Sequence, residues 1–409
     1  MRFGRGIRST FLLMFGALLC AGAQAPKPED PFVTLLEANR YPIALGSNGE
    51  LTGPGADLLN SEVGKAQFLM IGEQHATAGI AEVNIAIHRQ AARHGFDHSA
   101  LEVGPWSTEE VEKLIRSGKG RLAAFLRQPG NGFTLPFLLW AEETALVEQA
   151  VALSAAKSPV LWGLDQEFAG SAPIMLSRLG QLAKTPAQHA AVLDLRKRAA
   201  ADPTLIAMMT PADYAPLRRA FIATQSPEAA RMIEELALSS TIYAPFVGRG
   251  GSGQTANDTR ETYMKKNFLR HFARAERENG RPPKVFFKFG ANHAMRGHSF
   301  SDVPALGNFL AEWGLSRGFS MLNLAVDCVG GEQSDPRGGN ASPCKGYALD
   351  RNSPLVTRMN DAPLTLFDLR PLRAAMPKTL DPQTRKTILA FDFYIPVRNP
   401  RAATPVAAR

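Results

Sequence analysis

Five residues whose chemistry suits proton transfer fall at the ends of four apolar segments. Gly72-Glu73-Gln74-His75 and Gly290-Ala291-Asn292-His293 share a Gly-x-x-His pattern, Glu102 follows Ala100-Leu101, and Asp165 follows Gly163-Leu164. An imidazole titrates near neutrality and suits general-base work, while a nearby carboxylate can polarise it. One strand-end acid ordinarily caps a helix or satisfies a loop. Four such ends carrying two His, two Glu and an Asp point instead to one site. A cation joins them: Asp258-Thr259-Arg260-Glu261 has a D-x-x-E capping pattern, and Met264, Phe268 and Phe272 follow as an i, i+4, i+8 stripe. Arg260 heads that stripe one turn earlier, and Asn267 lies near the same face.

The elements that must position these groups alternate in type. Gln67 to Ile71, His98 to Val103, Val160 to Leu164, Lys284 to Phe289 and Ser320 to Val326 have the short apolar character of buried strands. Helical stretches start near Ile80, Ser107 and Leu135. Such alternation predicts an α/β fold with a mainly parallel central sheet flanked by helices. In open parallel sheets, ligands bind at the carboxyl ends of the strands, where these polar residues fall. Pro363 to Leu369 and Thr387 to Val397 read as further strands at one edge. The stretch from Asp165 to Lys284 is too long for a loop and too rich in Ala and Leu for a linker, so a helical subdomain is expected over 166–260. The remaining divisions are a signal peptide over 1–23, core segments over 24–165 and 261–399, and a disordered tail over 400–409.

Composition bounds the class. The 409 residues are 45% hydrophobic and 21% charged, and mean hydropathy is −0.13, which excludes a disordered or polytopic membrane chain. Arg2, Arg5 and Arg8 precede an apolar run from Phe11 to Leu19, and Ala21-Gly22-Ala23 offers cleavage before Gln24. This is an export signal, too short to span a bilayer, so a periplasmic or secreted protein without a stable membrane anchor is expected. Removing it takes three arginines, so +8 becomes 8 − 3 = +5. The excess is dispersed and forms no nucleic-acid stripe; the expected partner is a small molecule. Cys20 leaves with the signal, and Cys328 and Cys344 are expected to pair as a disulfide in an oxidising compartment.

Taken together, the two Gly-x-x-His motifs, the Glu73/Glu102 pair and Arg260 resemble the erythromycin esterase/ChaN-like superfamily, which also has Tiki/TraB-type relatives. Arg260-x-x-x-Met264-x-x-Asn267, then Val285-Phe286-Phe287 and Asn292-His293, look most like the esterase branch, and Ala100-Leu101-Glu102 and Gly163-Leu164-Asp165 fit it. The resemblance covers roughly residues 65–300. It departs at Gln74-His75-Ala76, where esterases carry Ala/Thr-His-Gly at longer spacing, so macrolide specificity is not implied.

Three functions are compatible with these residues. The first is hydrolysis of an ester- or lactone-like bond by direct attack of water. No Gly-x-Ser-x-Gly elbow occurs; His75 would be the base, polarised by Glu73 or Glu102, with His293 and Arg260 stabilising the oxyanion. Asp165, Trp106, Asn292 and Asn267 would bind substrate. The second is a metal-dependent hydrolase or peptidase holding one divalent ion through His75, His293, Glu73 and Glu102. The third is a ChaN-like haem- or iron-binding protein. His88, on a helix beside Arg89, is expected to be solvated or to back up the site rather than to ligate.

Overall fold

In the computed structural model the described residues are 30–406, apart from 158, 223–225, 336–339, 348 and 350–351. The segment 1–23, expected to be a signal, lies outside them. The strands in chain order are β1 (Arg40–Leu45), β2 (Leu51–Thr52), β3 (Phe68–Glu73), β4 (His98–Leu101), β5 (Leu161–Gly163), β6 (Val285–Gly290), β7 (Met321–Val329), β8 (Glu332–Gln333), β9 (Ser342–Pro343), β10 (Leu364–Asp368) and β11 (Phe393–Arg398). Nine of them form one sheet in the order β2-β1-β10-β11-β7-β3-β6-β4-β5, and β8 pairs with β9 alone. From β11 to β5 every pairing is parallel; β10, β1 and β2 add antiparallel strands on one side.

Both faces of the parallel part are covered, so its strands are buried on both sides. Period two sorts the side chains: Phe68 and Met70 join one apolar cluster, while Leu69 and Ile71 join the other. The predicted stripe Met264, Phe268 and Phe272 packs on the first face. Phe68 meets Phe268, Phe272 and Phe287 edge to face, at 5.7, 5.9 and 5.9 Å between centroids. That contact seats the helix Gly253–Asn279 against β3 and β6. Its cap is Ser252, whose Oγ accepts from Thr255 N. The D-x-x-E pattern at Asp258 therefore lies inside the helix, and the expected boundary at 260 cuts through it.

Between β5 and β6, helices including Ala172–Leu182, Pro186–Ala201 and Pro227–Tyr243 build a separate apolar cluster that takes in Trp106. The two predicted strands near the C-terminus are β10 and β11, but Thr387–Ala390 ends a helix, Pro382–Ala390. Neither strand is an edge, because β1 and β2, which the sequence reading did not include, extend the sheet further.

The expectation of a disordered tail is corrected for residues 400–406. Ala403 and Val406 are buried, and the segment bridges to Thr77 through Ala402 and to Trp140 through Pro405. The physical reason is backbone pairing, which Ala, Thr and Pro do not advertise in composition. Residues 407–409 lie outside the described ones. Cys328 and Cys344 are disulfide-bonded, 6.4 Å apart at Cα. No helix among the described residues is long and apolar enough to cross a membrane.

Candidate active site

Parallel register brings the two Gly-x-x-His motifs side by side. Glu73 at the end of β3 pairs with Gly290 at the end of β6, so His75 and His293 leave adjacent strands at the same edge. Gly290 is required there: a Cβ would sit 2.6 Å from His75 Nε2. Glu102, just past β4, reaches between them. One of its oxygens accepts from Gly290 N at 2.7 Å and lies 3.5 Å from His75 Nε2. The other lies 3.2 Å from His293 Nε2 and accepts from Arg260 Nη2 at 2.9 Å. Arg260 also forks onto Asp165, with Nε 2.9 Å from Oδ1 and Nη2 on Oδ2. Glu73, His75, Glu102, Asp165, Arg260 and His293 thus form one connected cluster.

Each imidazole is oriented by its own glutamate. His75 Nδ1 lies 2.7 Å from Glu73 Oε1, and His293 Nδ1 lies 2.6 Å from Glu261 Oε1. Glu73 is also held by Lys288 Nζ at 2.6 Å and by Asn84 Nδ2 at 2.5 Å. Lys288 in turn contacts Glu143 at 2.7 Å. The His75 ring stacks on Phe137, 4.1 Å between centroids.

Burial alone would lower the His75 pKa, but the carboxylates of Glu102 and Glu73 overcome it and push it up to about 9. For His293, burial is likewise overcome by Glu102, reinforced by Glu261 and opposed by Arg260, and the pKa rises to about 10. Burial would raise Glu102, yet the two imidazolium charges hold it well below the usual carboxylate range. Burial and the charge of Glu73 push Glu143 up to about 7, against the pull of Lys288. The resting cluster therefore holds both imidazoles protonated at neutral pH.

Three residues expected at the site are placed away from its centre, and His88 departs from the solvated position expected of it. Asn267 donates to the carbonyl of Leu164 at 2.8 Å and so supports the turn that presents Asp165. Asn292 binds Ser301 Oγ and Phe300 N, stapling a loop. Trp106 is buried, donates to Glu235 from its indole and has Arg231 4.2 Å over its ring. It lines a cavity of about 260 Å³ that contains none of the clustered residues. His88 is not solvated: it is buried inside the helix Ala78–Arg93. Asp165 alone of the proposed substrate-binding residues joins the cluster.

Lys288, Glu261, Glu143 and Asn84 were missed. Lys288 had a signal, a lone charge within the apolar run Val285 to Phe289. Glu261 reads as part of a capping pattern, and nothing in the sequence singles out Asn84. Glu143 carried no signal.

The donor set also bears on a metal. Both Nδ1 atoms are engaged by glutamates, and the Glu102 oxygen nearest His293 also faces a guanidinium. Among the described residues no group of three or more His, Cys, Asp or Glu is arranged to hold a metal ion.

The chain is a nine-stranded, mostly parallel α/β sheet protein with a helical insertion after β5 and this cluster at its carboxyl edge, and it shares its fold with an erythromycin esterase. Among solved structures, a mutant erythromycin esterase, EreC, in its open conformation matches with a TM-score of 0.62 at 15% identity, covering 90% of this chain and 99% of that one. A Bacillus cereus protein matches at 0.58 and 16%, covering 93% of this chain and 100% of that one. A succinoglycan biosynthesis protein matches at 0.58 and 15%, covering 91% and 97%. At such identities the likeness is one of fold. No protein-family model matches the sequence, and no curated protein matches it either.

Proposed function

We propose that the chain is an exported hydrolase that cleaves an ester- or lactone-like bond of a small molecule by direct attack of water, with His75 as general base. The observation that carries this reading is the accessible pair at the mouth of the cluster. The His75 side chain is 26% exposed and that of Arg260 21%, whereas His293 is 5% exposed. A base fixed by a carboxylate thus stands beside a cation, at opposite oxygens of Glu102.

In the step, neutral His75 takes a proton from water at Nε2 while the water oxygen bonds to the carbonyl carbon. Glu73 holds Nδ1 and stabilises the imidazolium that forms. The negative charge moves onto the carbonyl oxygen, where Arg260 supplies the accessible counter-charge. Collapse expels the alkoxide, which recovers the proton from His75. The elevated proton affinity of His75 makes its neutral form scarce at pH 7, so turnover should climb with pH up to about 9.

The reading is metal-free, supported by the engagement of both Nδ1 atoms and by Arg260 at Glu102. The test is a screen of aryl esters and lactones on mature protein with and without chelator. Turnover that persists in chelator and vanishes in His75→Ala is expected. Loss in chelator with recovery on adding a divalent ion would replace the metal-free mechanism. No turnover of any substrate, or equal turnover in His75→Ala, would sink the hydrolase. Export is supported by the export signal and the Cys328–Cys344 bond. Protein from the envelope should begin near Gln24 and titrate no free thiol; an intact signal would contradict it.

A further inference from the structure

His75 sits between two strained loops. Ala76, directly after it, has φ +69°, and Phe137, on which it stacks, has φ +62°. Non-glycine residues persist in the left-handed region only where surroundings over-determine them. What surrounds both loops is one segment, Arg401–Val406.

The segment leaves β11 and crosses the carboxyl edge of the sheet. Pro400 O accepts from Glu332 N at 2.9 Å, after which Arg401 O accepts from Ala78 N at 2.9 Å and Ala403 N donates to Ala76 O at 3.1 Å. Ala76 O receives a second bond, 2.9 Å from Ser334 N, and Ser334 Oγ donates to Ala403 O. The chain then reaches the second loop. Thr404 O accepts from Ala141 N at 2.7 Å, and Val406 N donates to Leu139 O at 2.9 Å. Glu142 accepts from both Thr404 N and Thr404 Oγ1. Ala403, Ala76, Leu139 and Trp140 close into a small apolar cluster with Phe137 against it.

We propose that Arg401–Val406 is a positioning strap: it clamps the loop behind His75 to the loop that carries Phe137, and so fixes the imidazole against Glu73 and the Phe137 ring. The strap touches no reacting atom; it acts through His75. Its catalytic consequence rests on the hydrolase reading, whereas its structural consequence does not.

The experiment uses the full chain and three variants. Ala403→Pro removes one donor to Ala76 O while keeping the rest of the strap. Ending the chain after Pro400 removes the strap. Ala76→Gly, alone and combined with Ala403→Pro, offers a residue that adopts φ +69° without strain. One readout is the NMR shift of the His75 ring protons, displaced by the Phe137 ring current; the other is kcat against KM. Both Ala403→Pro and the shortened chain should lose the ring-current shift. Their kcat should fall at least about tenfold with KM nearly unchanged, since small misplacement of a catalytic group is costly. Ala76→Gly should restore part of the kcat of Ala403→Pro, a rescue that a merely structural role would not give. A His75 shift and kcat unchanged in Ala403→Pro and in a folded shortened chain would overturn the strap. If wild-type protein hydrolyses nothing, the hydrolase reading fails, and the ring shift alone decides the strap.

Discussion

The two Gly-x-x-His motifs are near copies in sequence and differ in the setting of their rings. Each follows a parallel strand, presents Nδ1 to a glutamate 2.6–2.7 Å away and turns Nε2 toward Glu102. Yet His293 is enclosed: Glu261, which orients it, also accepts from the backbone N of Leu306 at 2.7 Å, so one carboxylate holds the ring and the start of a second helix. His75 has an aromatic on one face and an opening beside it. The same four-residue pattern therefore supplies an accessible imidazole in one place and an internal ion-pair partner in the other. Burial, not motif, separates them.

Substitution should split the two cleanly. His75→Ala should lower kcat by about 10²–10⁴, the range of a lost general base, with a smaller loss of Tm than His293→Ala. Glu73 keeps Lys288 and Asn84 as partners, so no buried charge is abandoned. His293→Ala should instead cost stability, about 3–5 kcal/mol, because it leaves the buried Glu261 carboxylate without its cationic partner. Urea midpoints and kcat for the two variants check this. Equal Tm losses would erase the distinction drawn from exposure.

Stability against pH sharpens the comparison. Both imidazoles have folded pKa values raised above the unfolded value of 6.5, so their contribution is fully present below 6.5. It fades as pH rises, through about 9 for His75 and about 10 for His293. Activity should move the opposite way up to pH 9. Wild-type unfolding midpoints should therefore fall between pH 7 and 10 while kcat climbs, and His293→Gln should flatten the stability slope but not the rate profile. A flat wild-type stability curve would show that these charges do not shape folding.

The cluster was legible because strand ends concentrate function: apolar runs place Glu73, Glu102, Asp165 and His293 at one edge before any coordinate is known. Arg260 followed from helical spacing against Met264 and Phe268. What was illegible depends on pairing rather than pattern. Glu261 read as a cap because acid near a helix start ordinarily caps, whereas the helix starts at Gly253 and Glu261 points inward. Trp106 follows Glu102 closely, which suggested the site, but the indole turns to the insert and Glu235. The strap was invisible because most of its bonds are backbone bonds, made as readily by Ala403 as by any residue but proline. β1 and β2 hid for a related reason: Arg40–Leu45 is mostly half-exposed and lacks the buried-strand signature.

His88 sets the lower bound of the comparison, a histidine one helical turn from Asn84 yet outside the cluster. Burial, aided by the charge of Arg89, pushes its pKa down to about 4, so it is neutral when folded. Gln149 Nε2 lies 3.0 Å from Nδ1 and Ser99 Oγ 3.3 Å from Nε2, and the ring meets Phe286 edge to face at 4.9 Å. His88→Ala should cost about 2–3 kcal/mol at pH 7, from lost packing and unpaired polar neighbours, and leave kcat within about twofold. Its pH signature has the opposite sign to that of His75. The unfolded chain binds a proton at 6.5 that the folded chain refuses until about 4, so this group erodes stability as pH falls through that window. Wild type and His88→Ala should accordingly converge in urea midpoint between pH 7 and 5. A kcat loss as deep as that of His75→Ala would place His88 in the reaction, and a gap that widens toward pH 5 would mean the imidazole is charged in the fold.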